Sequence, residues 1–503
     1  MGINMKIKQL IKDVANITVK GSKDIEISGI TSNSKMVSPG NLFVARRGAV
    51  SDGNAFIPEA LQSGAVAVLT DIFDPSLRDV VQIITPFVID VEAELAANYF
   101  KQPSQELFMV GVTGTSGKTT TTYAIRHILE CAKIRSGLIG TIEYIAGDAR
   151  YPATRTTPDV VANQKMLREM VRAGCQACVM EVTSHALEQK RVAHIEFDIA
   201  VFTNLTHEHL DYHLSMEGYA QAKQKLFKTL KSADSSKKAR LPKVAIFNAD
   251  SPWHEKMKEG CPARIFTFAI ENEADLKAVD ITFSSEGSRF TVVYQNERVE
   301  FFWPLVGRFN VYNALSVISV GLAKGLLLSE IKEYLSSFES TPGRLERVNN
   351  PLDLNIYVDY AHKVDALKNV LVTLRECTKG KIITVFGCGG DRDREKRPKM
   401  GHAAELLSDI VIVTSDNPRS ENPQAIADEI IAGFQNPKQH TVELDRKKAI
   451  EMAIDAATNN DIVLIAGKGH ETKQYFHHHT IDFDDRLMAY EYCTIKATEE
   501  IRV

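Results

Sequence analysis

The sequence predicts an α/β protein of three domains. At roughly 150 residues per domain, a chain of 503 residues corresponds to about three. In the middle and last third of the chain, apolar runs end in polar, glycine-rich loops, the pattern of strands in a parallel sheet. We therefore expect a small N-terminal α/β domain (1–105), a central domain with a mostly parallel sheet (106–339) and a C-terminal doubly wound domain (340–503).

Charge and hydropathy argue against several classes of protein. The 60 basic and 64 acidic residues give a net charge of -4 and are spread along the chain, so no large basic surface for nucleic acid is expected. No apolar run approaches the length of a membrane span, and the N-terminus lacks the apolar core and cleavage site of a secretory signal. We expect a cytoplasmic monomer that binds neither nucleic acid nor membrane.

The seven cysteines are scattered and include a single CxxC pair, Cys175 and Cys178. The pair leads directly into an apolar, strand-like run and has no second CxxC or histidine set nearby. Buried thiols of a cytoplasmic protein are the preferred interpretation, and a redox pair is the alternative. Three consecutive histidines at 477–479 are interpreted as a solvated loop, because consecutive side chains diverge and cannot readily share a metal.

The N-terminal region mixes strand-like runs, "AVAVLT" and "FVIDV", with turn signals. In the central region, "LFMVGV" precedes a glycine loop and a helical stretch, and "ACVMEV" and "FDIAVFTNL" are further candidates for buried strands. The alternating run "ITFSSEGSRFTVVYQNERVEFFW" predicts antiparallel strands, followed by a helix from Asn310 to Gly325.

The last third contains three similar segments: "KIITVFGCGGDRD", "DIVIVTSDNPR" and "DIVLIAGKGHE". Each is an apolar strand that ends in a polar loop, as in a Rossmann-like, doubly wound sheet. Loops that follow parallel strands meet at the carboxyl edge of the sheet, where ligands bind. We therefore expect Arg392, Arg419 and Glu471 to converge although they are far apart in sequence.

The strongest chemical signal is "VTGTSGKTT", Val112 to Thr120. It differs from the common P-loop pattern because Val112 stands where the first glycine is usual. Small residues let backbone N–H groups approach phosphate oxygens, Lys118 can neutralise phosphate charge, and Thr119 can ligate Mg²⁺ at a helix start. The alternative is an ordinary glycine turn that caps a helix. We predict a P-loop-type domain that binds ATP through Gly114, Thr115, Ser116, Gly117, Lys118, Thr119 and Thr120.

Two segments could complete a magnesium site. Glu181 ends the "ACVM" strand, and a strand-end carboxylate near a triphosphate suits this hard cation, although an incidental acid at a helix start is the alternative. "TNLTHEHLDYH" holds three histidines but no cysteine, which disfavours zinc, and His209 and His213 are spaced to face the same side of a helix. By composition alone, Lys223 in "GYAQAKQKLF" is a solvated lysine.

The loop "GTSGKTT" resembles that of the Mur ligases and folylpolyglutamate synthetases, which are ATP-dependent enzymes that join an amino acid to a carboxylate. "HLDYH", "AKQKLF", "GRFNVYNAL", "PGR" and "VDYAH" are similar to Mur ligase segments, and the resemblance covers nearly the whole chain. It implies that Lys118 is catalytic together with three magnesium ligands, namely Glu181, His209 and a carbamylated Lys223. Lys225 is the competing assignment for the carbamate. The resemblance also implies nucleotide contacts by Asn310, Arg344 and Asp359.

In the first domain, "TSNSKMVSPGNLFVARRG" resembles the segment of the family that binds the UDP part of a UDP-linked peptide. "TRTTPD" resembles the segment that holds the growing peptide, with Arg155 in place of a common asparagine. The residues implied to bind the UDP-linked substrate are Ser32, Ser34, Ala49, Val50, Ser51, Thr156, Thr157, Ser184, Gln189 and Arg191.

The motif "DNPR" is carried by the diaminopimelate-adding members of the family, whereas lysine-adding relatives lack its arginine. meso-2,6-Diaminopimelate has a distal carboxylate that lysine lacks, and a bidentate arginine recognises a carboxylate selectively. The alternative is that Arg419 pairs with Glu421 on the surface. The residues implied to bind diaminopimelate are Arg392, Asp416, Asn417, Pro418, Arg419, Gly467 and Glu471.

Together these resemblances imply an ATP- and Mg²⁺-dependent ligase that adds meso-2,6-diaminopimelate to UDP-N-acetylmuramoyl-L-alanyl-D-glutamate through an acyl phosphate. A lysine-adding ligase, an enzyme similar to folylpolyglutamate synthetase and a non-catalytic ATP-binding module are the alternatives.

Overall fold

The computed structural model describes residues 4–48, 52–230, 242–436 and 440–500. The chain forms two compact units, each described by itself below. Unit 1 comprises Met1–Asp275 and Ser316–Leu326, and unit 2 comprises Leu276–Leu315 and Leu327–Val503. Among the described residues, no helix is both long and apolar enough to cross a membrane.

The N-terminal part of unit 1 contains a five-stranded sheet in the order β2-β7-β6-β5-β4. Strands β4 to β7 are mutually parallel, β2 is antiparallel to β7, and β1 and β3 form a separate ribbon. The elements are β1 (Met5–Lys6), α1 (Ile7–Leu10), β2 (Thr18–Lys20), β3 (Glu26–Ile27), β4 (Gly29–Thr31), β5 (Asn41–Val44), α2 (Ile57–Gln62), β6 (Ala67–Thr70), β7 (Val81–Ile84) and α3 (Val88–Tyr99), with 3-10 turns at Ser34–Met36, Gly53–Phe56 and Pro103–Gln105.

The prediction of a strand at "FVIDV" is wrong, because this segment begins helix α3. Its apolar residues Val88, Val91 and Leu95 recur at helical spacing and are buried. A five-residue run with four apolar residues does not distinguish a buried strand from the first turns of a buried helix. The alanine-rich continuation, "EAELAANY", decides for the helix.

The larger sheet of unit 1 has the strand order β11-β10-β9-β12-β8-β13-β14-β15. Strands β9, β12, β8, β13, β14 and β15 are parallel, with β8 between β12 and β13, whereas β10 and β11 are antiparallel. The elements are β8 (Phe108–Thr113), α4 (Lys118–Cys131), β9 (Ser136–Ile139), β10 (Glu143–Ala146), β11 (Ala149–Pro152), α5 (Val160–Arg172), β12 (Ala177–Glu181), α6 (Ser184–Glu188), β13 (Ile199–Phe202), α7 (Leu210–His213), α8 (Met216–Lys228), β14 (Val244–Asn248), α9 (His254–Lys258) and β15 (Arg264–Ala269).

Cys175 and Cys178 are buried free thiols in this part of the core, as predicted. The six parallel strands put the loops after β8, β12 and β13 at one edge of the sheet. The predicted phosphate loop follows β8 and therefore lies at the centre of that edge.

Unit 2 begins with three antiparallel strands, as the alternating pattern predicts, and continues into a six-stranded sheet in the order β19-β20-β24-β21-β22-β23. Strands β20 to β24 are parallel, and β19 is antiparallel to β20. The elements are β16 (Leu276–Ser284), β17 (Gly287–Tyr294), β18 (Glu297–Trp303), α10 (Arg308–Lys324), α11 (Leu328–Ser336), β19 (Glu346–Arg347), β20 (Asn355–Asp359), α12 (Val364–Cys377), β21 (Ile382–Phe386), α13 (Lys396–Leu407), β22 (Ile410–Val413), α14 (Pro423–Ile431), β23 (His440–Val442), α15 (Arg446–Ala456), β24 (Ile462–Ala466), β25 (Lys473–Tyr475), β26 (Thr480–Asp482) and α16 (Asp485–Glu500).

The three histidines at 477–479 lie exposed between β25 and β26, so the prediction of a solvated loop is confirmed. Helix α10, whose residues are divided between the two units, covers the predicted helix from Asn310 to Gly325 except for the final glycine.

A fully buried ion pair ties the carboxyl ends of two strands together in unit 2. Arg446, the first residue of α15, donates from Nε and Nη2 to the two carboxylate oxygens of Asp485, at 2.7 Å each. The same guanidinium donates to the carbonyl of Ser415 at 3.3 Å and to that of Ala466 at 3.1 Å. These carbonyls lie just beyond β22 and at the end of β24, so the ion pair holds the start of both following loops.

We expect Arg446→Leu to lower the free energy of unfolding of unit 2 by about 3–5 kcal/mol, because it leaves Asp485 buried without its cation. Urea unfolding followed by circular dichroism measures the change. The double variant Arg446→Leu/Asp485→Leu removes both charges and should recover most of the loss. A single variant as stable as the wild type would contradict this account.

Candidate active site

The loop after β8 is held by residues that follow the neighbouring strand β13. The N–H of Thr115 donates to the carbonyl of Asn204, and the N–H of Ser116 donates to its side-chain oxygen, at 2.9 Å each. A Cβ atom on Gly114 would lie 1.9 Å from Oγ1 of Thr203, so the loop can pack here only with glycine. Gly117 has a φ of 83° and leads into α4.

Lys118 begins α4 and folds back over the loop. Its ammonium donates to the carbonyls of Gly114 at 3.0 Å and Thr115 at 2.8 Å. The first turn of a helix directs unpaired N–H groups and a partial positive charge outward, which favours phosphate. The loop, the lysine and the helix start thus form the anion-binding arrangement predicted from "VTGTSGKTT".

Glu181 ends β12 and is completely buried. Its Oε2 accepts hydrogen bonds from the hydroxyls of Thr119 and Thr141, at 3.1 Å each, and its Oε1 accepts from the N–H of Thr141 at 2.8 Å. The described part of the chain contains no group of three or more His, Cys, Asp or Glu residues arranged to hold a metal. Mg²⁺ commonly takes one or two carboxylates together with phosphate oxygens and water, so a hydroxyl and a carboxylate in contact fit this ion.

The interpretation of Lys223 as a solvated lysine is wrong. Its side chain is on the buried face of α8, and the residue is only 2% exposed. Nζ donates to the carbonyl of Gly114 at 2.8 Å and lies 4.6 Å from the centre of the Tyr219 ring. Burial, and next the charge of Lys118, lower the pKa of Lys223 well below its usual range. Lys225, in contrast, is exposed and pairs with Glu188 at 2.7 Å.

Tyr219 connects the histidine segment to the phosphate loop. Its hydroxyl lies 3.2 Å from Oγ1 of Thr115, and its ring centre lies 5.2 Å from that of His213 and 6.0 Å from that of His209. His209 and Lys223 therefore both flank this tyrosine. Sequence reasoning missed Tyr219, although its position four residues before Lys223 puts both on one face of α8.

The residues predicted to hold the peptide gather at the end of β12. Oγ1 of Thr156 lies 3.1 Å from that of Thr141, and the hydroxyl of Thr157 donates to the carbonyl of Glu181 at 2.8 Å. Arg191 donates from Nη1 to the carbonyl of Thr157 at 3.0 Å and from Nη2 to the side-chain oxygen of Gln189 at 2.6 Å. The predicted peptide site and the predicted magnesium site thus share Glu181.

The other residues predicted to bind the UDP-linked substrate are more dispersed. The hydroxyl of Ser32 accepts a hydrogen bond from Nη2 of Arg46 at 2.8 Å, and Ser34 is buried at the start of a 3-10 turn. Ser184 shares a 2.9 Å hydrogen bond with Nε2 of His213. Three further predicted residues lie outside the described part of the chain: Ala49, Val50 and Ser51.

In unit 2, the expected convergence of strand-end loops is observed for the two arginines. A Cβ on Gly389 would lie 2.9 Å from Nη1 of Arg419 and 3.8 Å from Cγ of Arg392, so both arginines flank this glycine. Arg419 has a φ of 51°, and its Nη1 donates to the carbonyl of Gly390 at 2.7 Å.

The alternative in which Arg419 pairs with Glu421 is wrong. Among the described residues, Arg419 makes no ion pair, whereas Glu421 receives two hydrogen bonds, of 2.9 and 2.8 Å, from the buried Arg397. The bonds from Arg397 lower the pKa of Glu421 to about 2. Arg419 therefore makes no ion pair among the described residues, although its charge acts on the carboxylate of Asp391.

Glu471 reaches the same loop through Asn417. Nδ2 of Asn417 donates to Oε2 of Glu471 at 2.8 Å, and the fully buried Lys468 donates to both residues, at 3.3 Å to Asn417 and 3.4 Å to Glu471. Asp416 is buried against Gly467, and burial raises the pKa of its carboxyl group. Pro418, the remaining predicted residue, precedes Arg419 in this loop.

The three residues of unit 2 that are predicted to contact the nucleotide each make contacts within the protein. The guanidinium of Arg344 lies 5.0 Å from the centre of the Tyr360 ring, and Asp359 accepts a hydrogen bond from the N–H of Leu345 at 2.7 Å. Asn310 is buried and its amide is engaged within the unit, where Nδ2 donates to the carbonyl of Val306 at 2.9 Å. Its predicted contact with adenine stays a prediction.

Comparison with known proteins identifies the family. Three family models match the chain: "Mur ligase family, catalytic domain" over residues 26–99, "Mur ligase middle domain" over 112–321 and "Mur ligase, glutamate ligase domain" over 343–469. A UDP-N-acetylmuramoyl-L-alanyl-D-glutamate–2,6-diaminopimelate ligase from Chlamydia pneumoniae is 42% identical, covering 96% of this chain and 98% of its own. The ligase of the same name from Gloeobacter violaceus is also 42% identical, covering 97% and 98%.

A solved structure of a protein with that name is 30% identical, with a TM-score of 0.72, and covers 99% of this chain and all of its own. The predicted fold class is confirmed, whereas the predicted domain boundaries stay predictions. The chain belongs to the Mur ligase family, whose members are ATP-dependent, amide-bond-forming ligases.

Proposed function

We propose that this protein adds meso-2,6-diaminopimelate to UDP-N-acetylmuramoyl-L-alanyl-D-glutamate in the cytoplasmic synthesis of peptidoglycan precursors. The observation that carries this choice of amino acid is Arg419, whose guanidinium flanks Gly389 beside Arg392 and makes no ion pair among the described residues. A free carboxylate on the incoming amino acid would complete this arrangement. The names of the relatives from Chlamydia pneumoniae and Gloeobacter violaceus support the same substrate.

The proposed reaction has two steps. The γ-phosphoryl group of ATP passes to the γ-carboxylate of the D-glutamyl residue, which gives an acyl phosphate and ADP. An amine of diaminopimelate then attacks the acyl carbon, an amide bond forms, and inorganic phosphate leaves. The amine loses a proton in this step. Such chemistry depends mainly on positioning and on neutralising phosphate charge.

Residues of unit 1 supply these needs in the proposal. Lys118 and the start of α4 neutralise the charge of the ATP phosphates. The hydroxyls of Thr156 and Thr157, beside Glu181, hold the D-glutamyl end of the peptide. A bound Mg²⁺ would reduce the charge repulsion at the reacting phosphate, and the residues proposed to hold it are Thr119, Glu181, His209 and Lys223.

We further propose that Lys223 carries a carbamate. A buried ammonium without a carboxylate partner is costly, whereas a carbamate supplies oxygen ligands for a cation. Its position against the carbonyl of Gly114 and the ring of Tyr219 supports this assignment over Lys225, which is exposed and paired with Glu188.

ATP and UDP-linked precursors are cytoplasmic, which supports the proposed location. A monomeric state stays a prediction.

The first prediction concerns the incoming amino acid. In an assay of phosphate release with the UDP-linked dipeptide, the wild type should use diaminopimelate in preference to lysine. Arg419→Ala should lower kcat/KM for diaminopimelate by roughly 100-fold, the typical cost of losing one partner of a buried charge pair, and leave the KM for ATP nearly unchanged.

The matched control for this assay is Arg298→Ala, which removes an exposed arginine of the same unit that pairs with Asp280 at 3.0 Å. A wild-type preference for lysine would overturn the choice of amino acid and leave the ligase reaction standing. ATP hydrolysis that does not depend on any amino acid would instead favour the ATP-binding module.

The second prediction concerns the carbamate. Lys223→Ala should abolish detectable ligation, and ¹³C NMR of the wild type in labelled bicarbonate should show a carbamate resonance that the variant lacks. Lys225→Ala removes a lysine from the same helix and should keep both the resonance and the activity. A fully active Lys223→Ala variant, or an unmodified Lys223 in active enzyme, would rule out the carbamate.

The third prediction concerns the metal. Glu181→Gln keeps the size of the side chain but removes its charge, so the Mg²⁺ concentration for half-maximal activity should rise by about tenfold or more. Titration of activity with Mg²⁺ measures this shift, and excess chelator should abolish turnover of the wild type. An unchanged Mg²⁺ requirement in Glu181→Gln would remove Glu181 from the metal site.

A further inference from the structure

Arg46 lies on the loop after β5 and is held by a buried acid. Its Nη2 donates to Oε1 of Glu92 on α3 at 2.6 Å and to the hydroxyl of Ser32 at 2.8 Å. Glu92 is completely buried, and the side chain of Arg46 is 29% exposed. The guanidinium is therefore fixed on one side and reaches the surface on the other.

Glu92 is an incomplete counter-ion for this arginine. Burial raises the pKa of Glu92 to about 7, against the opposing effect of Arg46. Oε2 of Glu92 and Nε of Arg46 are both buried and have no hydrogen-bond partner among the residues that the structure describes. The two groups are thus joined by one hydrogen bond, from Nη2 to Oε1, and do not form a bidentate pair.

Packing brings this pair close to the predicted peptide site. Val88 and Val91 of α3, which precede Glu92, belong to the same apolar cluster as Val160 and Val161, the first residues of α5. The loop that carries Arg155 and Thr157 leads directly into α5. Asp159 caps the helix, and its charge acts on Glu92.

Two more arginines lie in this region without a full complement of anions. Arg191 donates to two neutral acceptors, the carbonyl of Thr157 and the side chain of Gln189. Burial and then the neighbouring Arg155 lower the pKa of Arg191, and Arg46 acts in the same direction. Arg155 is exposed and makes no ion pair among the described residues. The charges of Arg46 and Arg155 therefore both act on Arg191, and the charge of Asp159 acts on both Arg191 and Glu92.

We propose that Arg46, oriented by Glu92, is a substrate-binding residue that forms an anion subsite with Arg155 and Arg191 for the UDP-linked substrate. The inference rests on the proposed function, since that substrate carries both a pyrophosphate and a D-glutamyl α-carboxylate. Either group offers anionic oxygens that would offset the repulsion among the arginines. Arg46 contacts the substrate in this proposal, and Glu92 acts as a positioning residue.

The test compares the KM of each substrate in wild type and Arg46→Met. We expect the KM for the UDP-linked dipeptide to rise by about 10- to 100-fold, as for the loss of a charge-assisted hydrogen bond, with the KM for ATP and diaminopimelate changed little. Arg46→Lys should recover part of the loss. The matched control is Arg47→Met, which removes the next arginine, an exposed residue paired with Asp71 at 2.6 Å.

Arg46→Met also leaves Glu92 buried without its cation, so Arg46→Met/Glu92→Leu separates binding from folding. If Arg46 binds substrate, the double variant keeps the raised KM although its stability is restored. If Arg46 acts only by neutralising Glu92, the double variant returns to the wild-type KM, and the proposal is overturned. An unchanged KM in Arg46→Met would also overturn it.

Competition by UDP distinguishes the two anionic groups. A weaker inhibition of Arg46→Met than of wild type by UDP assigns the contact to the pyrophosphate. Equal inhibition by UDP with a raised KM for the dipeptide substrate assigns it to the α-carboxylate. Both outcomes support the subsite. If the wild type does not turn over the UDP-linked dipeptide, the proposed function itself is refuted. If the wild type turns it over but Arg46→Met has the same KM, only the role of Arg46 is refuted.

Discussion

The parallel register of β12, β8 and β13 is the constraint on which the candidate active site of unit 1 depends. It puts the carboxyl ends of three strands side by side, so the phosphate loop, Glu181 and Asn204 meet although they are far apart in sequence. Asn204 then braces the loop, and Glu181 contacts Thr119 at the start of α4. A shift of one residue in either pairing would reverse the faces of the strands and separate these groups.

The same principle operates in unit 2 with different chemistry. The loops that follow strands β21, β22 and β24 lie at one edge of the sheet. The buried Arg446 donates hydrogen bonds to carbonyls at the ends of β22 and β24. Among the described residues Arg419 makes no ion pair, and the nearby Glu421 is instead bonded to Arg397. In unit 2, the buried ion pair of Arg446 and Asp485 thus holds the starts of the loops, and Arg419 is available to bind a ligand.

Buried charge is the common theme of both units. Lys223, Glu181 and Glu92 are in the interior of unit 1, where an ionic group is stable only with partners or with an altered protonation state. Glu181 accepts three hydrogen bonds, whereas Lys223 donates to a carbonyl and lies near an aromatic ring, with the charge of Glu208 as a weaker influence. Such incompletely compensated groups are typical of sites that bind a cation, an anion or a modifying group.

The sequence alone determined the α/β class, the phosphate loop and the gathering of Arg392 and Arg419, because the order of apolar strands and polar loops carries that information. Tertiary structure decided what local patterns could not. "FVIDV" became a helix because its continuation and its packing favour one, and Lys223 became buried because α8 turns that face towards the phosphate loop. The pairing of Arg46 with Glu92 was likewise invisible, since it joins residues 46 positions apart through the packing of α3. Burial and long-range pairing depend on the whole fold, and no local segment encodes them.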